Sequence, residues 1–293
     1  MKVSIGDISL WFDVLNPGLV TDGPVMREKP VLLALHGGPG FDHTDYKGLI
    51  EPLCDFAQIV LYDHRAQGRS DDCDKSLWNL GQWADDVHSF CTALGIERPF
   101  VLGWSFGGIV AQVYAARYPE EPAGLVLLST AARMLQERIE AAFERVGGPE
   151  ARDLFRRTSI ERDPDAFEDY MRICMPLYTV KRDPEYLRVH ETRPIIRQEV
   201  TEHFIWSEGD SMDLRPELER IVCPTLIING RHDPITPPEC SDEMEAALVN
   251  APVTHVVGER SSHDVPEDEP ELFEAAVREF VQKCVGAEHS RDA

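Results

Sequence analysis

The chain of 293 residues predicts an α/β fold: a mostly parallel central sheet with helices on both faces and an inserted helical cap. Three observations lead there. Short apolar runs alternate with helix-length amphipathic segments over the first 130 residues, a strandless helical stretch interrupts them, and strand-like runs then resume.

Taken in order, residues 3–15 alternate apolar and polar and break at Asn16-Pro17-Gly18, the pattern of an edge hairpin opening the sheet. Val31–Leu35 is apolar throughout, as a strand buried on both faces requires. A helix is expected over Tyr46–Phe56, a strand at Ile59–Tyr62, a helix over Trp83–Leu94 and a strand at Phe100–Leu102. A helical pattern at Ile109–Tyr118 and a strand at Gly124–Leu128 follow. Between Ala131 and Glu219 come helical, charged and Pro-punctuated segments: Arg133–Val146, Pro149–Arg157, Asp165–Cys174, Pro184–His190 and Pro194–Phe204. The sheet resumes at Thr225–Ile228 and Val253–Val257, and Glu271–Cys284 closes the chain as a helix. These signals divide the sequence into core (1–130), cap (131–219) and core (220–285), with a polar tail, 286–293, expected to fray.

With 52 acids against 29 bases the formal net charge is −23, which repels nucleic-acid phosphate and anionic membranes. Seven scattered cysteines (54, 73, 91, 174, 223, 240, 284) without a C-x-x-C pair read as reduced thiols, with neither a disulfide framework nor a zinc site. The segment Met1–Asp7 lacks the apolar core of a leader, and no run reaches the length of a membrane span. The expectation is a soluble, cytoplasmic protein, with its oligomeric state open. No phosphate loop, metal cluster or dinucleotide fingerprint is legible, so no cofactor is expected.

The chemistry concentrates in Gly103-Trp104-Ser105-Phe106-Gly107, which follows a strand and opens a helix. Glycines flanking a serine permit the sharp reversal that lifts its hydroxyl over the end of a sheet, the arrangement called a nucleophile elbow. A serine hydroxyl needs an imidazole base, and the imidazole needs a carboxylate to fix its tautomer. Asp233, just after the strand at 225–228, is the predicted acid, and His263, after the strand at 253–257, the predicted base. His255 lies inside a strand and His232 abuts the acid, so both fit less well, and the loop Ser129-Thr130-Ala131-Ala132 offers no carboxylate. The tetrahedral oxyanion requires two backbone donors. Phe106 N–H is one candidate, and His36-Gly37-Gly38-Pro39-Gly40 supplies the other, Gly38 before Gly37.

These residues in this order resemble the α/β-hydrolase superfamily over essentially the whole chain. More narrowly, His36-Gly37-Gly38-Pro39-Gly40 with Asp63-His64-Arg65-Ala66-Gln67-Gly68-Arg69-Ser70 is similar to the prolyl aminopeptidase (proline iminopeptidase) group, with its H-G-G-P-G and D-x-R-G-x-G-x-S motifs. Ala66 stands where that group has glycine, a change expected to cost little. The resemblance implies a serine hydrolase that removes a residue from a small peptide or amide, with acidic cap residues gripping a free amine. Members often carry a glutamate directly after the acid, where this chain has Pro234. Glu202, Glu208 and Asp210 are candidates for the amine anchor, and Trp104 and Trp206 for contacts with the substrate. The same machinery also serves a carboxylesterase, a lactonase or a carbon–carbon bond hydrolase, and some members of the superfamily bind small molecules without turnover.

Overall fold

The computed structural model describes residues 1–185, 188 and 192–289. Its strands are β1 (Lys2–Ser4), β2 (Ser9–Val14), β3 (Leu19–Asp22), β4 (Val25–Glu28), β5 (Val31–Leu35), β6 (Gln58–Tyr62), β7 (Phe100–Trp104), β8 (Gly124–Leu128), β9 (Thr225–Gly230) and β10 (Val253–Gly258). Eight of them form one sheet in the order β1-β2-β6-β5-β7-β8-β9-β10. β1 pairs antiparallel with β2 and β2 with β6, and from β6 onward the pairs are parallel. The expected edge hairpin is thus β1–β2. A separate, exposed hairpin, β3–β4, was not anticipated, although Gly23-Pro24 between its strands is a known turn signal.

Side chains of the parallel strands alternate between two cores, as the two-residue strand period requires. Leu33, Leu35, Val101, Leu125, Leu127 and Ile227 pack on one face with helices α2 (Leu80–Leu94) and α3 (Phe106–Arg117). Leu32, Ala34, Leu102, Val126, Leu128 and Ile228 pack on the other with the helix at Pro270–His289. Each fully buried Leu, Ile or Val contributes about 1.5–3 kcal/mol. Local chemistry sets the ends of α2: the Asn79 side chain accepts from Gln82 N–H at 2.9 Å, and Gly95 stops the helix at φ 64°.

The expected helix at 46–56 is broken, because Pro52 cannot donate into an α-helical ladder. Instead α1 (Lys47–Ile50) is followed by a 3₁₀ turn, Glu51–Asp55. Between β8 and β9 no strand occurs among the described residues. There α4 (Gln136–Phe155) joins the two expected helices at 133–146 and 149–157, with Gly148 at φ 80° breaking the spiral before Pro149. A π-helical turn, Arg156–Ile160, follows, then α5 (Phe167–Ile173), α6 (Gln198–Ile205), α7 (Glu208–Ser211) and α8 (Arg215–Leu218). α6 starts four residues later than expected. Part of the expected helix at 184–190 lies outside the described residues. Ile139, Phe143, Leu154, Phe155, Cys174 and Leu177 give this segment a hydrophobic cluster of its own. After β9 come α9 (Pro238–Ala247), α10 (Val265–Asp268) and α11 (Pro270–His289). Residues 286–289, expected to fray, belong to α11, and 290–293 lie outside the described residues. No described helix is long and apolar enough to cross a membrane.

Candidate active site

The elbow forms because the backbone passes where no side chain fits. A Cβ on Gly103 would sit 2.6 Å from Gly108 Cα, and one on Gly107 would sit 2.6 Å from the carbonyl carbon of Leu35. Between them Ser105 adopts φ 53°, ψ −117°, a conformation costing about 1–3 kcal/mol in a non-glycine residue. It is held by its N–H donating to Leu128 O at 2.9 Å and by Thr130 Oγ1 donating to Ser105 O at 2.7 Å.

At neighbouring strand ends, the loop after β9 presents Asp233 and the loop after β10 presents His263. Asp233 Oδ1 accepts from the N–H groups of Ile235 and Thr236, both at 2.8 Å, and Oδ2 accepts from Thr236 Oγ1 at 2.7 Å. His263 Nδ1 lies 2.7 Å from Asp233 Oδ2, so Nδ1 carries the proton and Nε2 is left as the basic nitrogen. Both side chains are buried. Burial favours the neutral acid, but His263 and the Thr236 donors outweigh it and hold the Asp233 pKa below the ordinary value. Burial likewise disfavours the imidazolium, yet the charge and hydrogen bond of Asp233 raise the His263 pKa above its ordinary value. Tyr178 meets the His263 ring edge-on, with centroids 4.9 Å apart. Ser105 and His263 line one cavity.

Gly37, Gly38 and Phe106 line the same cavity. A Cβ on Gly37 would fall 3.5 Å from Ser105 Cβ, so this glycine runs directly beside the serine. Phe106 opens α3, where backbone N–H groups have no partner within the helix. The two sequence motifs meet here. His36 Nε2 accepts from His64 N–H at 3.0 Å, which places a proton on Nδ1 to donate to Gly37 O at 2.7 Å. Gly40 N–H donates to Gln67 Oε1 at 2.7 Å. Arg65, buried, forks onto Asp86 at 2.7 and 2.8 Å and reaches Asp7 at 2.6 and 3.0 Å, a structural role. Ala66 has φ 61° and is fully buried, so the missing glycine leaves an alanine in left-handed backbone, a larger cost than expected from the sequence.

Of the expected substrate contacts, Trp104, Glu202 and Trp206 line the cavity. Glu202 Oε1 accepts from Gln198 Nε2 at 2.7 Å, and Trp206 Nε1 donates to Thr158 O at 3.0 Å. Glu208 does not line it: its carboxylate accepts from Leu80 N–H at 2.8 Å, capping the positive end of α2. Asp210 is also elsewhere, near Gln136 and Arg162. Sequence reasoning missed Asp45, Asp163, Asp264, Tyr178 and the apolar group Phe167, Met171 and Met175. Thr236 was findable, three residues after the acid as a side-chain cap; the cap residues have no local signal. Asp42, His43 and Asp63 bring ligand-type atoms within 4.8 Å of one another. They are engaged already: His43 Nδ1 bonds Asp63 at 2.5 Å and Arg69 bonds Asp42 at 2.9 Å.

A family model described as the alpha/beta hydrolase fold matches residues 30–270. The chain belongs to that family. Proline iminopeptidase PfmaB of Pestalotiopsis fici is 27% identical over 268 residues, covering 88% of this chain and 93% of the relative. Putative carbamate hydrolase RutD of Caulobacter sp. is 26% identical over 272 residues, covering 89% and 94%. Among solved structures, the proline iminopeptidase of Mycobacterium smegmatis superposes with a TM-score of 0.75 at 24% identity, covering 98% of this chain and 99% of that one. The chain is an α/β-hydrolase enzyme that resembles the prolyl aminopeptidases.

Proposed function

We propose that the enzyme is a serine hydrolase that cleaves a small amide through an acyl-enzyme and selects substrates with a free amine, most like a prolyl aminopeptidase. In this reading Ser105 attacks the carbonyl while His263 takes its proton and then delivers it to the leaving group. Asp233 fixes the His263 tautomer and stabilises its charged form. The N–H groups of Phe106 and Gly38, with Gly37 beside them, receive the oxyanion. Water, deprotonated by His263, then releases the acid and restores Ser105.

The observation that carries the choice of substrate is the charge of the cavity. Asp45, Asp163, Glu202 and Asp264 line it, with no Lys or Arg among the lining residues. Asp163 is neutralised by Arg157 at 2.6 Å, whereas Glu202 has an amide for its partner and no cation among the described residues. Glu202 therefore takes the role of amine anchor, and the apolar side chains of Phe167, Met171 and Met175 take the substrate's side chain. The second reading, an ester, lactone or carbamate hydrolase, draws on Pro234 in place of the group's glutamate and on the carbamate hydrolase relative. The chemistry common to both is tested with a fluorophosphonate and Ser105→Ala. Wild type is expected to be labelled once per chain and to cleave p-nitrophenyl acetate, and Ser105→Ala to do neither. Substantial residual turnover in the variant sinks the assignment.

A further inference from the structure

We infer that Thr201, on the cap helix α6, is a positioning residue for the oxyanion loop: its hydroxyl holds the Pro39–Gly40 turn and so sets where the Gly37 and Gly38 N–H groups point. The inference rests on the reading of that loop as the second oxyanion donor.

Within Gly37-Gly38-Pro39-Gly40, His36 holds Gly37 O and the Pro39 ring fixes its own φ, while the two glycines that flank the proline leave the turn around it to be set by more distant partners. Gly38 sits at φ 115° and Gly40 at φ 92°, and glycine backbone has more freedom to lose on ordering than any other. The loop's course therefore depends on external partners, and the cap supplies several. Thr201 Oγ1 donates to Pro39 O at 2.6 Å, Arg197 N–H donates to Gly40 O at 2.7 Å, and Ile195 N–H donates to Asp42 Oδ2 at 3.0 Å. The approach is close: a Cβ on Gly40 would lie 2.5 Å from both Arg197 O and Thr201 Oγ1. From the core side Gln67 Oε1 takes the Gly40 N–H, so the turn is gripped between core and cap. Thr201 also lines the cavity, and its neighbour Glu202 does so on the same turn of α6. One helical turn thus carries both the proposed amine anchor and the clamp on the oxyanion loop. A substrate that seats on Glu202 bears on the element that aligns the donors.

The test compares Thr201→Val, which keeps the shape and removes the donor, with Thr201→Ser, which restores the hydroxyl. Removing an oxyanion donor outright costs about 10²–10³ in kcat, so misaligning one is expected to cost about 10- to 100-fold. For Thr201→Val on p-nitrophenyl acetate, kcat should fall by that factor with KM nearly unchanged. Affinity for an aryl trifluoromethyl ketone, whose adduct carries the oxyanion, should fall in parallel, and Thr201→Ser should recover both. Thr201→Ala is the substitute if the valine variant does not fold. Unchanged kcat and ketone affinity would overturn the inference, as would a loss confined to KM or one that serine does not repair. Wild type that neither labels at Ser105 nor turns over ester would overturn the hydrolase reading itself. Active wild type with an indifferent Thr201→Val removes only the clamp.

Discussion

His263 carries the most direct residue-scale consequence of this geometry. In the proposed mechanism the imidazole must be neutral to accept the Ser105 proton, and Asp233 holds its pKa above the ordinary histidine value. Activity is therefore expected to fall with decreasing pH around a midpoint above about 6.5, the unperturbed histidine value. Asp233→Asn removes the carboxylate and leaves burial as the dominant influence, which lowers the imidazole pKa. That variant should lose about 10⁴-fold in rate, and its residual activity should titrate at lower pH than wild type. A pH–rate profile of both proteins checks this; an unshifted midpoint points to another acid. Ala66 makes the second residue-scale prediction. Left-handed backbone costs a non-glycine residue about 1–2 kcal/mol, partly offset by the extra chain entropy glycine loses on folding. Ala66→Gly should therefore stabilise the protein by up to about 1 kcal/mol in denaturant melts, and a loss of stability would contradict the account.

At the scale of elements, the elbow works because β7, α3 and β5 approach without side chains between them. Gly107→Ala would drive a methyl into the backbone of Leu35 and His36, where a Cβ would lie 2.6 Å from Leu35 C and 2.7 Å from His36 O. Overpacking of this kind typically costs about 1–3 kcal/mol, and it pushes the start of α3 away from the loop at 37–40 that is proposed to hold the oxyanion. Gly107→Ala should lower both the melting temperature and kcat, and normal activity in a stable variant would show that the close approach is dispensable. The parallel strands were legible in the sequence because they are buried on both faces and read as continuous apolar runs; Val31–Leu35 and Gly124–Leu128 occur with those bounds. The elbow was legible because its requirements are local. The cap was not. Glu208 and Glu202 are both acids near its end, and only tertiary packing turns one toward α2 and the other into the cavity. Tyr178 and Met171 have no sequence signal, since their proximity to His263 or to the cavity arises from how the cap folds over the core.

For the whole molecule, the acidic surplus and the cavity have the same sign. A cationic substrate meets a field that draws it toward a site lined by carboxylates, while an anionic one is opposed at both stages. The most direct test of the central claim compares rates on proline p-nitroanilide and its N-acetyl derivative, for wild type and Glu202→Gln, with p-nitrophenyl acetate as reference. A hydrogen bond to a charged group contributes about 1.5–3 kcal/mol, so wild type should prefer the free amine by about 10- to 100-fold. Glu202→Gln should erase most of that preference while leaving the ester rate within a few-fold of wild type. Equal rates on the free and acetylated anilides, beside fast ester cleavage, would contradict the account and make the enzyme an esterase with a peptidase-like oxyanion loop.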